Sequence, residues 1–201
     1  MLHAIKYNDN SLIVHLYSEE HGRMAAWVRI PKSHKSKVKS VLFQPLSLLE
    51  LDIDFSTKNG IHSIREAKPA VVLQSVPFHP LKSSIALFLA EFLSKVLMEE
   101  ATNRPLYAYL QASVEWLDHC ERPAANFHLV FLMHLTLFVG LYPNLEDYHE
   151  GDWFDLQNGS FVTMVPLHKQ CVKPDEASRI CTLMRMNYEN MHLFAMSRVE
   201  R

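Results

Sequence analysis

The sequence predicts an α+β protein whose strands come first and whose helices follow. Short apolar runs separated by turn residues fill residues 3–68, which is typical of β-strands. After Pro69 the apolar residues recur at three- and four-residue spacing, which is typical of helices. Hydrophobic residues make up 48% of the 201 residues and charged ones 21%, as in an ordinary globular protein. This length suffices for one large domain or two small ones.

Five strands are predicted, at residues 3–7, 11–17, 24–30, 40–54 and 61–67. Gly22 lies in the turn before the third strand, where it suits a positive φ. The fourth strand ends in a clear alternation of apolar and acidic residues between Leu49 and Asp54. Five short strands in about 70 residues favour a small closed barrel, in particular the OB-fold, because closure leaves no exposed strand edge.

Four helices are predicted, over residues 81–101, from Asn103 to about 119, over 124–139 and from Pro174 onward. Asn103 is a helix N-cap, and Gly140 suits a left-handed C-terminal cap. The segment at about 142–173 is irregular and contains a hairpin with a two-residue turn at Asn158-Gly159. The predicted domains are therefore an OB-fold at 1–69 and a helical domain at 70–201 with this insertion. The chain still has helical character at Arg201 and is expected to continue.

One stretch, residues 22–45, is basic on an otherwise acidic chain. Its basic residues are Arg23, Arg29, Lys32, Lys35, Lys37 and Lys39, with no acid between Glu20 and Glu50. Of the 20 basic residues in the chain, 14 remain elsewhere against 22 acidic ones, a formal charge of −8. A local positive field indicates a polyanionic partner, and nucleic acid is the first candidate. The alternative is a solvated loop whose lysines protect a sheet edge.

Trp27 lies within this stretch and is the candidate platform for base stacking. In an extended strand Trp27 shares a face with Arg29, opposite Ala26 and Val28. That arrangement favours the surface, and a place in the core is the alternative. Weaker candidates, which more often form barrel wall, are Tyr7 and Tyr17. We predict that the site residues for nucleic acid are Trp27 and the six basic residues of the stretch.

Other site classes find little support in the sequence. Three widely spaced cysteines, Cys120, Cys171 and Cys181, argue against a disulfide framework and for a reducing compartment such as the cytoplasm. His168 and Cys171 have ligand-like spacing, but zinc needs four ligands and no second close pair exists, so no metal site is predicted.

No phosphate-binding loop or hydrolase motif is present, so no catalytic residues are predicted. The apolar segments are shorter than the about 20 residues that cross a bilayer.

Four stretches in order resemble the RecO family of bacterial recombination mediators. They are LHAIKYNDNSLIVHLYSEEHGR, LFQPLSLLELD, ALFLAEFL and ANFHLVFLMHLTLFVGLYPNL. The resemblance covers nearly the whole chain. It implies an N-terminal OB-fold and a helical domain, a role in DNA repair and recombination, binding of single- and double-stranded DNA, and strand annealing. It also implies action with RecR and the tail of the single-stranded DNA-binding protein to load RecA, in the bacterial cytoplasm at the nucleoid.

The sequence departs from the family pattern at two places. Many members hold zinc with two Cys-x-x-Cys pairs after the central helix, whereas residues 143–174 contain only Cys171. We therefore expect the family zinc site to be absent and the hairpin at Asn158-Gly159 to hold this segment. The family also has a few residues before the first strand, so Met1 is expected to start within that strand.

The helical domain is expected to carry the protein partner. The partner tail implied by the family is acidic and ends in an apolar residue and a carboxylate, which suits an apolar groove flanked by basic residues. Candidates are Met184 flanked by Arg179 and Arg185, within a methionine cluster that includes Met186, Met191 and Met196. The alternative is that these methionines fill the core. A second function also stays open, a protein-interaction scaffold whose OB-fold does not bind DNA.

Overall fold

The structure is a computed structural model that describes residues 1–31, 38–55, 62–97 and 101–197. It divides into two compact units, Met1–Glu121 and Arg122–Arg201. The first unit contains the N-terminal sheet and two helices, and the second contains the remaining helices and a small sheet. The domain boundary predicted at 69/70 falls at the end of the fifth strand and stays a prediction.

A five-stranded sheet forms the N-terminal part of the first unit. Its strands are β1 (His3–Asn8), β2 (Ser11–Ser18), β3 (Gly22–Arg29), β4 (Leu49–Asp54) and β5 (His62–Pro69). The spatial order is β1-β2-β3-β5-β4, and β3 and β5 are the parallel neighbours. Gly22 has a φ of 63°, as its turn requires. The sheet confirms the predicted α+β class with an N-terminal OB-fold.

Closure of the barrel was predicted and is wrong for the described residues. β1 and β4 are the two edges of the sheet, and no strand pairing joins them within the described ranges. Two backbone bonds bridge this seam near one end. The amide of Leu46 donates to the carbonyl of Met1 at 2.9 Å, and the amino group of Met1 donates to the carbonyl of Ser47 at 2.9 Å.

The fourth strand is shorter than predicted. A 3-10 helix at Ser40–Leu42 replaces the first part of the predicted strand at 40–54, and β4 begins at Leu49. The reason is local: Pro45 cannot donate to a ladder, and Leu46 has a φ of 59°, which breaks an extended chain.

Inward-facing apolar residues of this sheet form one hydrophobic core. Its buried members are Val14, Leu16, Met24, Ala26, Val28, Val38, Phe43, Ile64 and Ala67. Alternate residues of β2 and β3 supply most of it, because successive side chains in a strand point to opposite faces. The remaining residues of these strands therefore point away from the core.

Two helices follow the sheet, α1 (Pro80–Val96) and α2 (Arg104–His119). The side chain of Asn103 accepts a hydrogen bond from the amide of Leu106 at 3.0 Å, which confirms the predicted N-cap. Within the described residues α1 ends at Val96 rather than at the predicted residue 101, and residues 98–100 lie outside the described ranges.

Asp118, near the end of α2, fixes the connector between β5 and α1. Its buried carboxylate accepts hydrogen bonds from the amides of residues 74, 75 and 76 at 2.8, 2.8 and 2.7 Å. Burial raises the pKa of this carboxyl, but the three amide donors outweigh it and the net pKa lies below the usual range. The buried amine of Lys82 donates to the carbonyls of Asp118 and Cys120 at 3.0 and 2.7 Å.

The second unit contains α3 (Phe127–Phe138), α4 (Pro174–Arg185) and the strands β6 (Trp153–Asp155), β7 (Ser160–Val162) and β8 (Cys171–Val172). Gly140 has a φ of 73°, as the predicted cap requires. The β6–β7 hairpin is confirmed, but its loop has four residues rather than two because Asp155 pairs with Ser160. β8 was not predicted. Residues 195–197 are not helical, contrary to the expectation for the chain end, and 198–201 lie outside the described residues.

Candidate nucleic-acid interface

The residues of β1, β2 and β3 that point away from the core form a surface that we call the outer face. Its members are His3, Ile5, Tyr7, Ile13, His15, Tyr17, Arg23, Ala25, Trp27 and Arg29. In β3 they alternate strictly with the buried Met24, Ala26 and Val28. The face predicted for Trp27 and Arg29 from the sequence is therefore the face on which they lie.

Strand register places Trp27 in a row of apolar side chains across three strands. Ile5 pairs with Ile13, and Ile13 pairs with Trp27. The next row toward the β1–β2 turn joins Asn8, Ser11 and Arg29. An aromatic ring and a cation thus lie two residues apart in β3 near one end of the face, and proteins that bind single-stranded nucleic acid combine these two kinds of side chain.

Trp27 is half-buried and is not part of the core cluster. Within the described residues its indole N–H makes no hydrogen bond and its ring contacts no other aromatic ring. Trp27 is therefore a residue of the surface rather than of the core. Its contact with nucleic acid stays a prediction.

Arg29 is exposed and has no ion pair within the described part of the chain. Its cross-strand neighbour is Ser11, so no carboxylate lies directly opposite it. Histidine adds little charge nearby, because burial, Arg23 and His3 all lower the pKa of His15. Arg29 is therefore the main unpaired cation of the outer face.

Arg23 has a structural role that the sequence did not reveal. Its guanidinium donates to the carbonyl of Ser94 and, at 2.6 Å, to that of Leu97, at the C-terminal end of α1. The last carbonyls of a helix lack partners within it and carry partial negative charge, so a guanidinium there stabilises the helix end. A contact between Arg23 and DNA, as predicted, would compete with these bonds.

The basic segment that follows β3 is anchored at both ends. The amide of Ile30 donates to the carbonyl of Asn10 at 2.7 Å, and Val38 is buried in the core. Lys32, Lys35 and Lys37 lie outside the described residues, so their predicted role has no structural description. Lys39 is exposed and precedes the 3-10 helix in an extended conformation.

The other half of the sheet, formed by β4 and β5, is mainly acidic on its outward side. The outward residues of β4 and β5, which we call the acidic surface, are Glu50, Asp52, Asp54, Arg65, Glu66 and Lys68. Lys68 pairs with Glu50 at 2.9 Å, and Arg65 donates to Asp54. That hydrogen bond and the charge of Asp54 raise the pKa of Arg65. A surface with four carboxylates and two paired cations is unsuited to phosphates.

The partner residues predicted in α4 lie at different depths. Arg179 and Arg185 are exposed, whereas Met184 is half-buried. Met186 and Met191 are buried, so for these two the alternative that methionines fill the core is confirmed. The contact of Arg179, Met184 and Arg185 with a partner stays a prediction.

The insertion is organised around Asp155 at the end of β6. Its carboxylate accepts hydrogen bonds from the amide of Gln157 at 2.8 Å and the side-chain amide of Asn158 at 2.7 Å. The ring of His168 lies 3.2 Å from it. Burial raises the pKa of Asp155, but these donors outweigh it and the net pKa is lowered. Among the described residues no three His, Cys, Asp or Glu side chains are grouped as a metal site would require.

The described helices include none that is both long and apolar enough to cross a membrane. The three cysteines are free of disulfides, and all are half-buried.

Comparison with known proteins agrees with this fold. Residues 1–72 match the family model for the N-terminal domain of recombination protein O, and residues 78–194 match the model for its C-terminal domain. The DNA repair protein RecO of Phocaeicola vulgatus is 55% identical over 201 residues, which are 100% of this chain and 83% of that protein.

Other relatives cover the chain equally well. The DNA repair protein RecO of Bacteroides fragilis is 55% identical over 202 residues, with 100% of this chain and 84% of that protein covered. That of Porphyromonas gingivalis is 35% identical over 209 residues, again with 100% and 84% covered. Matches to both domain models together with identity of this level over the whole chain leave one conclusion: the chain belongs to the RecO family of DNA repair proteins.

Proposed function

We propose that this protein is a recombination mediator that binds single- and double-stranded DNA and anneals complementary strands. The observation that carries the proposal is the exposed Arg29 next to Trp27 on the outer face, within a chain of the RecO family. Cations that replace condensed counterions on phosphates give binding that does not depend on sequence and weakens with salt. Neutralised strands repel each other less, so complementary strands meet and pair more often.

The proposal extends to partners. RecR, and the tail of the single-stranded DNA-binding protein, would act with this chain to load RecA onto coated DNA. Family membership supports this part, and Arg179 and Arg185, exposed on either side of Met184, are the candidate residues for the acidic tail. We also propose that the protein acts without catalysing a reaction, works at the nucleoid in the bacterial cytoplasm, and needs no zinc.

Annealing of complementary oligonucleotides by the purified chain, at low and moderate salt, tests this function. The variant is the triple replacement Lys35→Glu, Lys37→Glu and Lys39→Glu. We expect slower annealing and weaker binding of single strands. The slope of log K against log salt should become shallower by about 2, because each lost contact to single-stranded DNA removes about 0.7.

Lys68→Glu is the control on the acidic surface, where it makes the same substitution at a single position. Annealing should be unaffected in this variant. A wild-type chain that neither binds nor anneals DNA at low salt would instead support the second candidate, a scaffold whose OB-fold does not bind DNA.

A further inference from the structure

Tyr7 is the most exposed of the tyrosine and tryptophan residues of the outer face. Tyr7 lies where the β1–β2 register shifts between Lys6 and Asn8, so it has no cross-strand partner. Its side chain is 65% exposed. Within the described residues its hydroxyl makes no hydrogen bond and its ring has no aromatic contact.

Tyr7 lies beside the apolar row that contains Trp27, on the side of the β1–β2 turn. In β1 it follows Ile5, which is 46% exposed and pairs through Ile13 with Trp27. Asn8, its neighbour in the chain, lies in the row of Arg29. Two aromatic rings and an unpaired guanidinium therefore occupy the same end of the outer face.

Exposed apolar side chains on an edge strand are normally avoided, because they invite association with other chains. Charge indicates what occupies this surface. The charges beside Tyr7 in the chain, Lys6 and Asp9, pair with each other at 3.1 Å, which leaves Arg29 as the unpaired charge at this end of the outer face within the described residues. The segment that continues from Arg29 has no acidic residue before Glu50. A basic, aromatic surface complements the phosphates and base faces of a nucleic acid rather than an acidic or purely apolar protein segment.

We propose that Tyr7 is a base-stacking residue that, together with Trp27, makes the outer face prefer single-stranded over double-stranded DNA. This inference rests on the proposed DNA binding and adds a residue and a specificity to it. The faces of bases are accessible in a single strand, whereas in a duplex they are covered by neighbouring bases. Arg29 would contact phosphates, which both forms present, so it does not discriminate between them.

The test compares Tyr7→Ala and Tyr7→Phe with the wild-type chain by fluorescence anisotropy. The probes are an oligothymidine, a duplex of equal length and an abasic strand that keeps the phosphates but lacks bases. Tyr7→Ala should bind the oligothymidine about tenfold more weakly, which is within the range for the loss of one stacked base. Binding of the duplex and of the abasic strand should not change, and Tyr7→Phe should retain wild-type affinity.

The salt dependence gives a second readout. Stacking releases no counterions, so Tyr7→Ala should lower the affinity for oligothymidine with the same slope against salt. Unchanged oligothymidine binding by Tyr7→Ala, or an equal loss for oligothymidine and the abasic strand, would overturn the inference while leaving the proposed function intact. A wild-type chain that binds none of the three probes would instead contradict the proposed function itself.

Discussion

On the outer face of β1–β3, Arg29 has no ion pair within the described residues, whereas on the acidic surface of β4 and β5 each cation lies next to a carboxylate. The two surfaces belong to one sheet and share one core. The difference indicates which charges serve the fold and which are available to a partner. A paired charge contributes to stability and little to binding, and an unpaired exposed cation contributes to binding and little to stability.

Asp118 is a buried charge whose carboxylate accepts three backbone hydrogen bonds, and its removal should have the largest effect on stability. Asp118→Ala leaves three amides of the connector without their acceptor. We expect the free energy of unfolding to fall by about 3 kcal/mol, because buried unsatisfied donors are costly. Urea denaturation measures this, with Asp118→Asn as a control that keeps one carbonyl oxygen and should lose less.

The same carboxylate predicts a pH dependence. The pKa of Asp118 in the folded chain lies below its ordinary value of 3.8, so the unfolded chain binds the proton more tightly. Its contribution is therefore fully present above 3.8 and is lost as the pH falls through the folded-state pKa. The stability difference between wild type and Asp118→Asn should shrink on acidification. A difference that stays constant would show that the carboxylate is not held in its ionised form.

Arg23 and Arg29 give a comparison within one strand. Arg23→Ala removes two hydrogen bonds from a guanidinium to the end of α1 and should lower the free energy of unfolding by about 2 kcal/mol. Arg29→Ala should leave stability unchanged. Thermal or urea denaturation of both variants decides this, and equal stability of the two would contradict the structural role assigned to Arg23.

Reversal of charge at Arg29 tests whether the unpaired cation of the outer face contributes to DNA binding. Arg29→Glu should lower the affinity for single-stranded DNA by about tenfold at low salt, since it would replace the proposed phosphate contact by a repulsive charge. Lys68→Glu changes the charge of the chain equally on the acidic surface and should change affinity by less than about twofold. Filter binding or anisotropy at two salt concentrations separates them. Similar losses in both variants would mean that net charge, not the outer face, governs binding.

Local patterns in the sequence predicted the parts of the fold that depend on neighbouring residues. The alternation of residues around Trp27 predicted the side of the sheet on which its side chain lies. The helix caps at Asn103 and Gly140 were recognisable because each acts within one helical turn. The break before β4 was missed, since the apolar residues of 40–48 look like a strand although Leu46 leaves the extended region.

Long-range contacts were not accessible to the same reasoning. Arg23 and Ser94 are 71 residues apart, and nothing in the local sequence distinguishes Arg23 from Arg29 as the residue that binds a helix end. β8 was missed because two residues carry no periodicity, and it exists through its pairing with β6. The exposure of Tyr7 follows from a register shift, which depends on the partner strand rather than on β1 alone.

The smallest expected effect lies on the acidic surface, where Asp52 is directly opposite Glu66. Like charges at opposed positions of antiparallel strands destabilise the pair, so Asp52→Lys should raise the free energy of unfolding by about 0.5 kcal/mol. Glu50→Lys makes the same change of charge two residues away, but it breaks the pair with Lys68 and should not stabilise the chain. Urea denaturation at low and high salt measures both, and the gain in Asp52→Lys should diminish as salt screens the charges. Equal effects of the two substitutions would show that total charge, rather than the pairing of individual residues, determines the stability of this half of the sheet.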